Sequence, residues 1–121
     1  MKFLVPLLLA LAGTMAAADT PSLAGNWKVH SNIAGYESDL NCTFTQTGDE
    51  IGGTCKNEEA NLTVTGKVSE SKVTLQYKTE YNGEQLTLVY TGKMESSTKF
   101  SGVVAVLPMD VDGDFTATLV K

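Results

Sequence analysis

The residues able to do chemistry are few: one histidine, two cysteines, fourteen carboxylates and nine basic side chains, all lysine, in 121 residues. His30, the sole histidine, alternates outward beside Lys28, with neither a serine nor a free thiol placed next to it. Covalent catalysis needs a nucleophile and a base together, so no catalytic residue is predicted. Zinc needs three or four ligands, which one histidine and a committed cysteine pair do not supply. The run Asp110-Val111-Asp112-Gly113-Asp114 has the look of a calcium loop, but glycine comes too early, and the twelfth position from Asp110 is Lys121 rather than a bidentate glutamate. Glu58-Glu59 reads as a solvated charge pair. The expectation is no metal, no cofactor and no enzyme.

The cysteines carry a sharper message. Between Cys42 and Cys55 lies Gly48-Asp49, the composition of a type II′ hairpin turn. Placing the turn there sets Thr47 opposite Glu50 and Cys42 opposite Cys55. The cysteines then fall in a non-hydrogen-bonded pair, where facing side chains approach most closely and a disulfide closes. A disulfide implies an oxidising compartment. The N-terminus points the same way: Met1-Lys2 is a short positive segment, Phe3 to Ala12 is apolar, and Ala16-Ala17-Ala18 is a small-residue cleavage site. Residues 1–18 are therefore read as a signal peptide cleaved after Ala18, too short to span a bilayer, and the product as secreted or periplasmic. The alanine-rich leader looks bacterial, so the glycosylation sequons at Asn41 and Asn61 are read as chance. The mature chain carries eight lysines against fourteen acids, which excludes a phosphate-tracking surface and hence nucleic acid as a partner. A monomer is the default.

Positioning these residues falls to strands. After the leader, apolar and polar residues alternate in runs of five to nine, broken by turn chemistry, and no helical period appears. Eight strands are predicted. The first, Gly25–Ser31, buries Trp27 and Val29. The second, Tyr36–Thr47, buries Leu40, Cys42 and Phe44, and the third, Glu50–Lys56, buries Ile51 and Cys55. The fourth, Ala60–Val68, buries Leu62, Val64 and Val68. The fifth, Lys72–Tyr81, buries Val73, Leu75 and Tyr77. Asn82-Gly83 is a type I′ signal that pairs Tyr77 with Leu88 and Leu75 with Tyr90, so the sixth strand buries Leu86, Leu88, Tyr90 and Met94. The seventh, Lys99–Leu107, buries Phe100, Val104 and Val106. Asp112-Gly113 reads as a second type I′ turn, with Phe115, Ala117 and Leu119 inward on the eighth strand and a loop over Leu107–Asp112 around Pro108.

A weak repeat, Thr65-Gly66-Lys67-Val68 and Thr91-Gly92-Lys93-Met94, has the period of a hairpin. Eight short-looped strands leave exposed edges unless the last closes on the first. The predicted fold is an all-β, eight-stranded antiparallel up-and-down meander barrel spanning 25–121, behind an N-terminal arm at 19–24. A flattened two-sheet sandwich is the alternative.

Gly53, Gly66, Gly92 and Gly102 all fall at inward positions. They read either as kinks that let the sheet curve or as missing side chains that leave a void near Trp27, Tyr77, Tyr90 and Phe115. Those four aromatics are the candidate ligand-binding residues, suited to a small apolar or amphipathic molecule.

Gly25-Asn26-Trp27 opening a short meander barrel resembles the calycin superfamily: lipocalins, fatty-acid-binding proteins, avidins and bacterial secreted metalloprotease inhibitors. The cadence of Gln46-Thr47-Gly48, Gly53-Thr54, Thr91-Gly92-Lys93 and Gly113-Asp114-Phe115-Thr116-Ala117 is similar to that of small secreted bacterial proteins of uncharacterised function. The resemblance implies that Trp27 plugs one end of the barrel, with Lys121 available as the late basic residue. It also implies two functions: a ligand-binding module, or a protein-interaction module of inhibitor type that uses residues 19–24 as an inserting arm.

Overall fold

The computed structural model describes residues 21–120; the expected leader, Asp19, Thr20 and Lys121 lie outside them. Eight strands follow in order: β1 Gly25–Ile33, β2 Tyr36–Thr47, β3 Glu50–Lys56, β4 Asn61–Ser69, β5 Lys72–Tyr81, β6 Glu84–Ser96, β7 Lys99–Leu107 and β8 Val111–Leu119. Each pairs antiparallel with the next, and β8 pairs back onto β1 from Gly113↔Ile33 to Leu119↔Trp27. The barrel is closed, so the sandwich alternative does not hold. Closure leaves no sheet edge, which is how a chain of short strands avoids edge-to-edge association.

Alternation sets inside from outside. Val29, Leu40, Phe44, Val64, Leu75 and Val104 are buried, while the lysines, threonines and asparagines between them face out. A barrel that crosses lipid has the opposite pattern, apolar outside and polar within. No helix of the described residues is long and apolar enough to cross a membrane.

Gly48 has φ +63° and Asp49 does not share the left-handed region, as a type II′ turn requires. The turn brings Thr47 opposite Glu50 and Cys42 opposite Cys55, and the cysteines are joined with their Cα atoms 3.9 Å apart. A sequence separation of 13 makes this link worth roughly 3 kcal/mol in the chain-entropy account. The Cys42→Ser/Cys55→Ser double variant is therefore expected to lose about that much in urea denaturation, a large share of a small domain's stability. A loss near zero would show that the ladder alone holds the pair together.

The last hairpin departs from the sequence reading. Asp112-Gly113 is not a turn: both residues lie in β8, and the reversal occurs over Pro108–Asp110, with Asp110 at φ +59° and its N–H donating to Val106 O at 2.9 Å. Val106 therefore faces Val111, and Phe100 faces Ala117. The reason is steric. A Cβ on Gly113 would sit 2.1 Å from Asn32 O on the neighbouring β1, so glycine here permits a close backbone approach rather than a bend.

The same cause disposes of the second reading of the inward glycines, a void. Cβ atoms built on Gly53, Gly66, Gly92 and Gly102 would meet Thr43 O at 2.0 Å, Thr74 O at 2.1 Å, Ser101 O at 2.5 Å and Thr91 O at 2.0 Å. Neighbouring strands occupy the missing side chains' space. Gly92 faces Gly102 across the β6–β7 ladder.

Candidate functional site

The four aromatics named from sequence divide into two groups along one stack. Trp27 sits at the barrel end where the chain enters, its ring centroid 5.0 Å from Phe100 and 6.5 Å from Phe44. Phe100 meets Phe115 at 5.9 Å, Phe115 meets Tyr90 at 5.0 Å, and Tyr90 meets Tyr77 at 5.7 Å. The stack runs from an apolar plug at one end to a pair of phenols further in.

The plug has a lid that the sequence reading missed. Leu23, assigned to a free arm, is completely buried. Its N–H donates to Gln46 Oε1 at 2.7 Å, and its carbonyl accepts the Trp27 indole N–H at 2.9 Å. The Gln46 amide then donates to Pro21 O at 2.8 Å and Gly48 O at 2.9 Å. Residues 21–24 are thus clamped over the Trp27 end rather than projecting from it. The signal was there: a leucine among small and polar residues, four positions before the only tryptophan.

Tyr77 and Tyr90 are diagonal neighbours across the β5–β6 ladder, opposite Leu88 and Leu75, and their hydroxyls are hydrogen-bonded at 2.8 Å. Burial pushes the Tyr77 phenol above its ordinary value, against the hydrogen bond from its neighbour. Burial pushes Tyr90 further still, with Tyr77's charge and hydrogen bond adding and Ser31 opposing. Ser31 is itself buried and hydrogen-bonded to Ser38 Oγ at 3.0 Å. Both phenols therefore remain neutral, and this half of the core offers hydroxyls rather than charge. The void they border, shared with Val64, Leu75 and the disulfide, is about 10 Å³, at the threshold for one water. Trp27 and Phe115 do not line it.

Beside it the wall opens. β4 and β5 pair over only five residues, from Thr65↔Gln76 to Ser69↔Lys72, whereas β5 and β6 pair over ten. Beyond Thr65 and Gln76 the two strands diverge. The outer groove so formed is about 380 Å³ and is lined by Asn61, Leu62, Thr63, Gln76, Tyr77 and Lys78. Tyr77 belongs to both the groove and the inner void.

His30 lies on the outer face, where its Nδ1 meets Asp39 at 2.7 Å and its Nε2 meets Glu37 at 3.0 Å. When protonated, the imidazole donates to a carboxylate from each ring nitrogen. The hydrogen bond to Asp39 is the main cause that raises its pKa; Asp39's charge and Glu37 add, and partial desolvation opposes. The folded value therefore lies above the unfolded 6.5, so the pair's contribution is complete below pH 6.5 and is lost as pH rises through the folded pKa. Since His30 is the only histidine, its ring protons report this directly by NMR. Asp39→Asn is expected to return the midpoint toward 6.5; an unchanged midpoint would show that Asp39 is not the cause.

No protein-family model matches the chain, and no curated protein matches it in sequence. Among solved structures it is similar to a redesigned β barrel, with a TM-score of 0.63 and 14% identity over 82% of this chain and 92% of that one. It is also similar to mFAP1, a redesigned β barrel bound to DFHBI, with a TM-score of 0.57, 15% identity, and 81% and 94% of the two chains covered. A third structure, EF1p2-mFAP2b bound to DFHBI, gives 0.58 and 13% over the same shares. At these identities the likeness is one of fold: an eight-stranded, closed, up-and-down antiparallel barrel.

Proposed function

We propose that this chain is a secreted, non-enzymatic binding module of calycin type that takes a small apolar or amphipathic ligand at the β4–β5 opening. The observation that carries the reading is the early end of the β4–β5 ladder directly above the buried tyrosine pair. A ligand lying in the groove would rest its apolar part on Leu62 and the Tyr77 ring, with Gln76 and Asn61 available to its polar end. Deeper insertion requires the Tyr77 and Tyr90 hydroxyls to exchange each other for a ligand acceptor, since the inner void is too small as it stands. The bound ligand in two barrels of similar fold is in keeping with this use of the architecture. The disulfide and the expected leader support an oxidising compartment.

The test is native mass spectrometry of the full chain exported to an oxidising periplasm, with titration of the neutral probe N-phenyl-1-naphthylamine. The expected result is an adduct that leaves on activation, or one saturable site for the probe. Leu62→Glu should weaken that site at least about tenfold by placing a charge on its apolar wall. A clean apo mass together with no saturable signal would overturn the proposal.

A further inference from the structure

The two ends of the barrel differ in charge and in what their loops display. The end opposite Trp27 is built from the β1–β2, β3–β4, β5–β6 and β7–β8 connections. The half of the barrel nearer those loops carries nine carboxylates, from Glu37 on β2 to Asp114 on β8, against Lys56, Lys78 and the His30 imidazole. The half nearer Trp27 carries four carboxylates against five lysines. The negative charge of the described residues is therefore concentrated around one rim.

That rim also holds four of the six exposed large apolar side chains among the described residues, the others being Val103 in mid-β7 and Val120 at the Trp27 end. Tyr36 is 72% exposed, Tyr81 63%, Met109 49% and Leu107 43%. Each stands on or beside one of these loops. Around the ring, the β7–β8 loop bearing Leu107 and Met109 lies between the hairpin of Tyr81 and the hairpin of Tyr36. Beyond Tyr36 a shallow outer depression of about 520 Å³ continues to the β3–β4 loop, lined by Tyr36, Glu37, Asp39, Lys56, Glu58 and Glu59. Exposed aromatics and methionine are the residue types enriched in protein interfaces, and a group of them on one end marks an interaction surface.

We infer that this rim docks a cationic amphipathic segment of another protein. Charge complementarity selects the occupant. Lysine and arginine side chains would find carboxylates on both sides of Tyr36 and the ring faces of Tyr36 and Tyr81, while apolar residues cover Leu107 and Met109. A second copy of this chain would bring one acidic rim against another. An anionic membrane surface would be repelled by the same charge. A metal ion needs convergent ligands, and among the described residues no three of His, Cys, Asp and Glu converge to hold one. The carboxylates are spread along an arc, which fits an extended polycation.

The test uses the full chain, isotope-labelled, titrated with a synthetic lysine–leucine peptide and with its glutamate–leucine counterpart. The expected result is binding of the lysine peptide alone, with amide shifts confined to residues around Tyr36, Glu58, Tyr81 and Met109. Both Tyr36→Ser/Tyr81→Ser and Glu58→Gln/Glu59→Gln/Glu84→Gln should weaken it at least about tenfold. The charge variant should also flatten its salt dependence. Glu50→Gln/Glu70→Gln, at the Trp27 end, should leave it unchanged. Shifts spread over both ends, equal binding of the glutamate peptide, or indifference to the tyrosine variant would overturn the inference. So would binding to phosphatidylcholine vesicles in preference to the peptide, which would make the apolar arc a membrane contact. Retention of the N-phenyl-1-naphthylamine site in these rim variants keeps this outcome separate from that of the β4–β5 groove.

Discussion

Trp27→Ala is expected to destabilise the barrel by about 3–5 kcal/mol, the range for emptying a large aromatic site in a packed core. Trp27 is almost fully buried against Phe44 and Phe100, under a leucine with no exposure at all. The alanine variant also orphans the Leu23 carbonyl, which loses the indole N–H as its donor. A domain with a total stability of about 5–15 kcal/mol would be left marginal. Trp27→Phe keeps one ring in the plug and removes the donor together with part of the ring volume; the orphaned acceptor accounts for about 1–3 kcal/mol of its expected loss. Urea denaturation followed by far-ultraviolet circular dichroism measures both. A loss below about 1 kcal/mol for the alanine variant would mean that the Trp27 end does not depend on its plug.

Gly102→Ala is the second large effect, and Gly52→Ala is its internal control. A methyl on Gly102 would lie 2.0 Å from Thr91 O and 2.5 Å from the Gly92 Cα, both backbone atoms that cannot swing aside. Relief requires β6 and β7 to separate, at an expected cost of about 1–3 kcal/mol or more. In a domain of this size that lowers Tm by at least about 4 °C. Gly52 points outward, and its Cβ would meet nothing nearer than Thr45 Oγ1 at 3.6 Å, an ordinary contact. Its substitution is expected to change stability by no more than about 0.5 kcal/mol. If both variants melt alike, the inward glycines are not there for backbone approach.

The contrast between these glycines explains how much of the molecule is legible in its sequence. Gly48 and Gly83 are read correctly because turn chemistry is local: the residue and its neighbour define the reversal, and the register of Cys42 with Cys55 and Tyr77 with Leu88 follows. Gly113 sits in an equally turn-like dipeptide, yet its role is set by Asn32, some eighty positions away and adjacent only once β8 has closed on β1. Composition holds no trace of that contact. The site follows the same division. That Tyr77 and Tyr90 are neighbours is legible because the hairpin register sets them diagonally across β5–β6, whereas the β4–β5 divergence depends on where a ladder stops. The acids on either side of His30 lie on β2 and become visible only through the β1–β2 register, His30↔Asp39. The burial of Leu23 depends on a side chain from β2, Gln46, reaching back to hold the chain in place.

Closure of β8 on β1 has a kinetic consequence. The other strand contacts join neighbours in sequence through short connections, so each hairpin forms at little cost in chain entropy. Only the last seam joins residues about ninety positions apart, and such long-range pairing is the slow kind. Trp27, the sole tryptophan, stands on that seam opposite Leu119. Its contact with Phe44 needs only the β1–β2 hairpin, whereas its contact with Phe100 on β7 needs the ring closed, so the later change in its fluorescence times the event that turns a ribbon into a barrel.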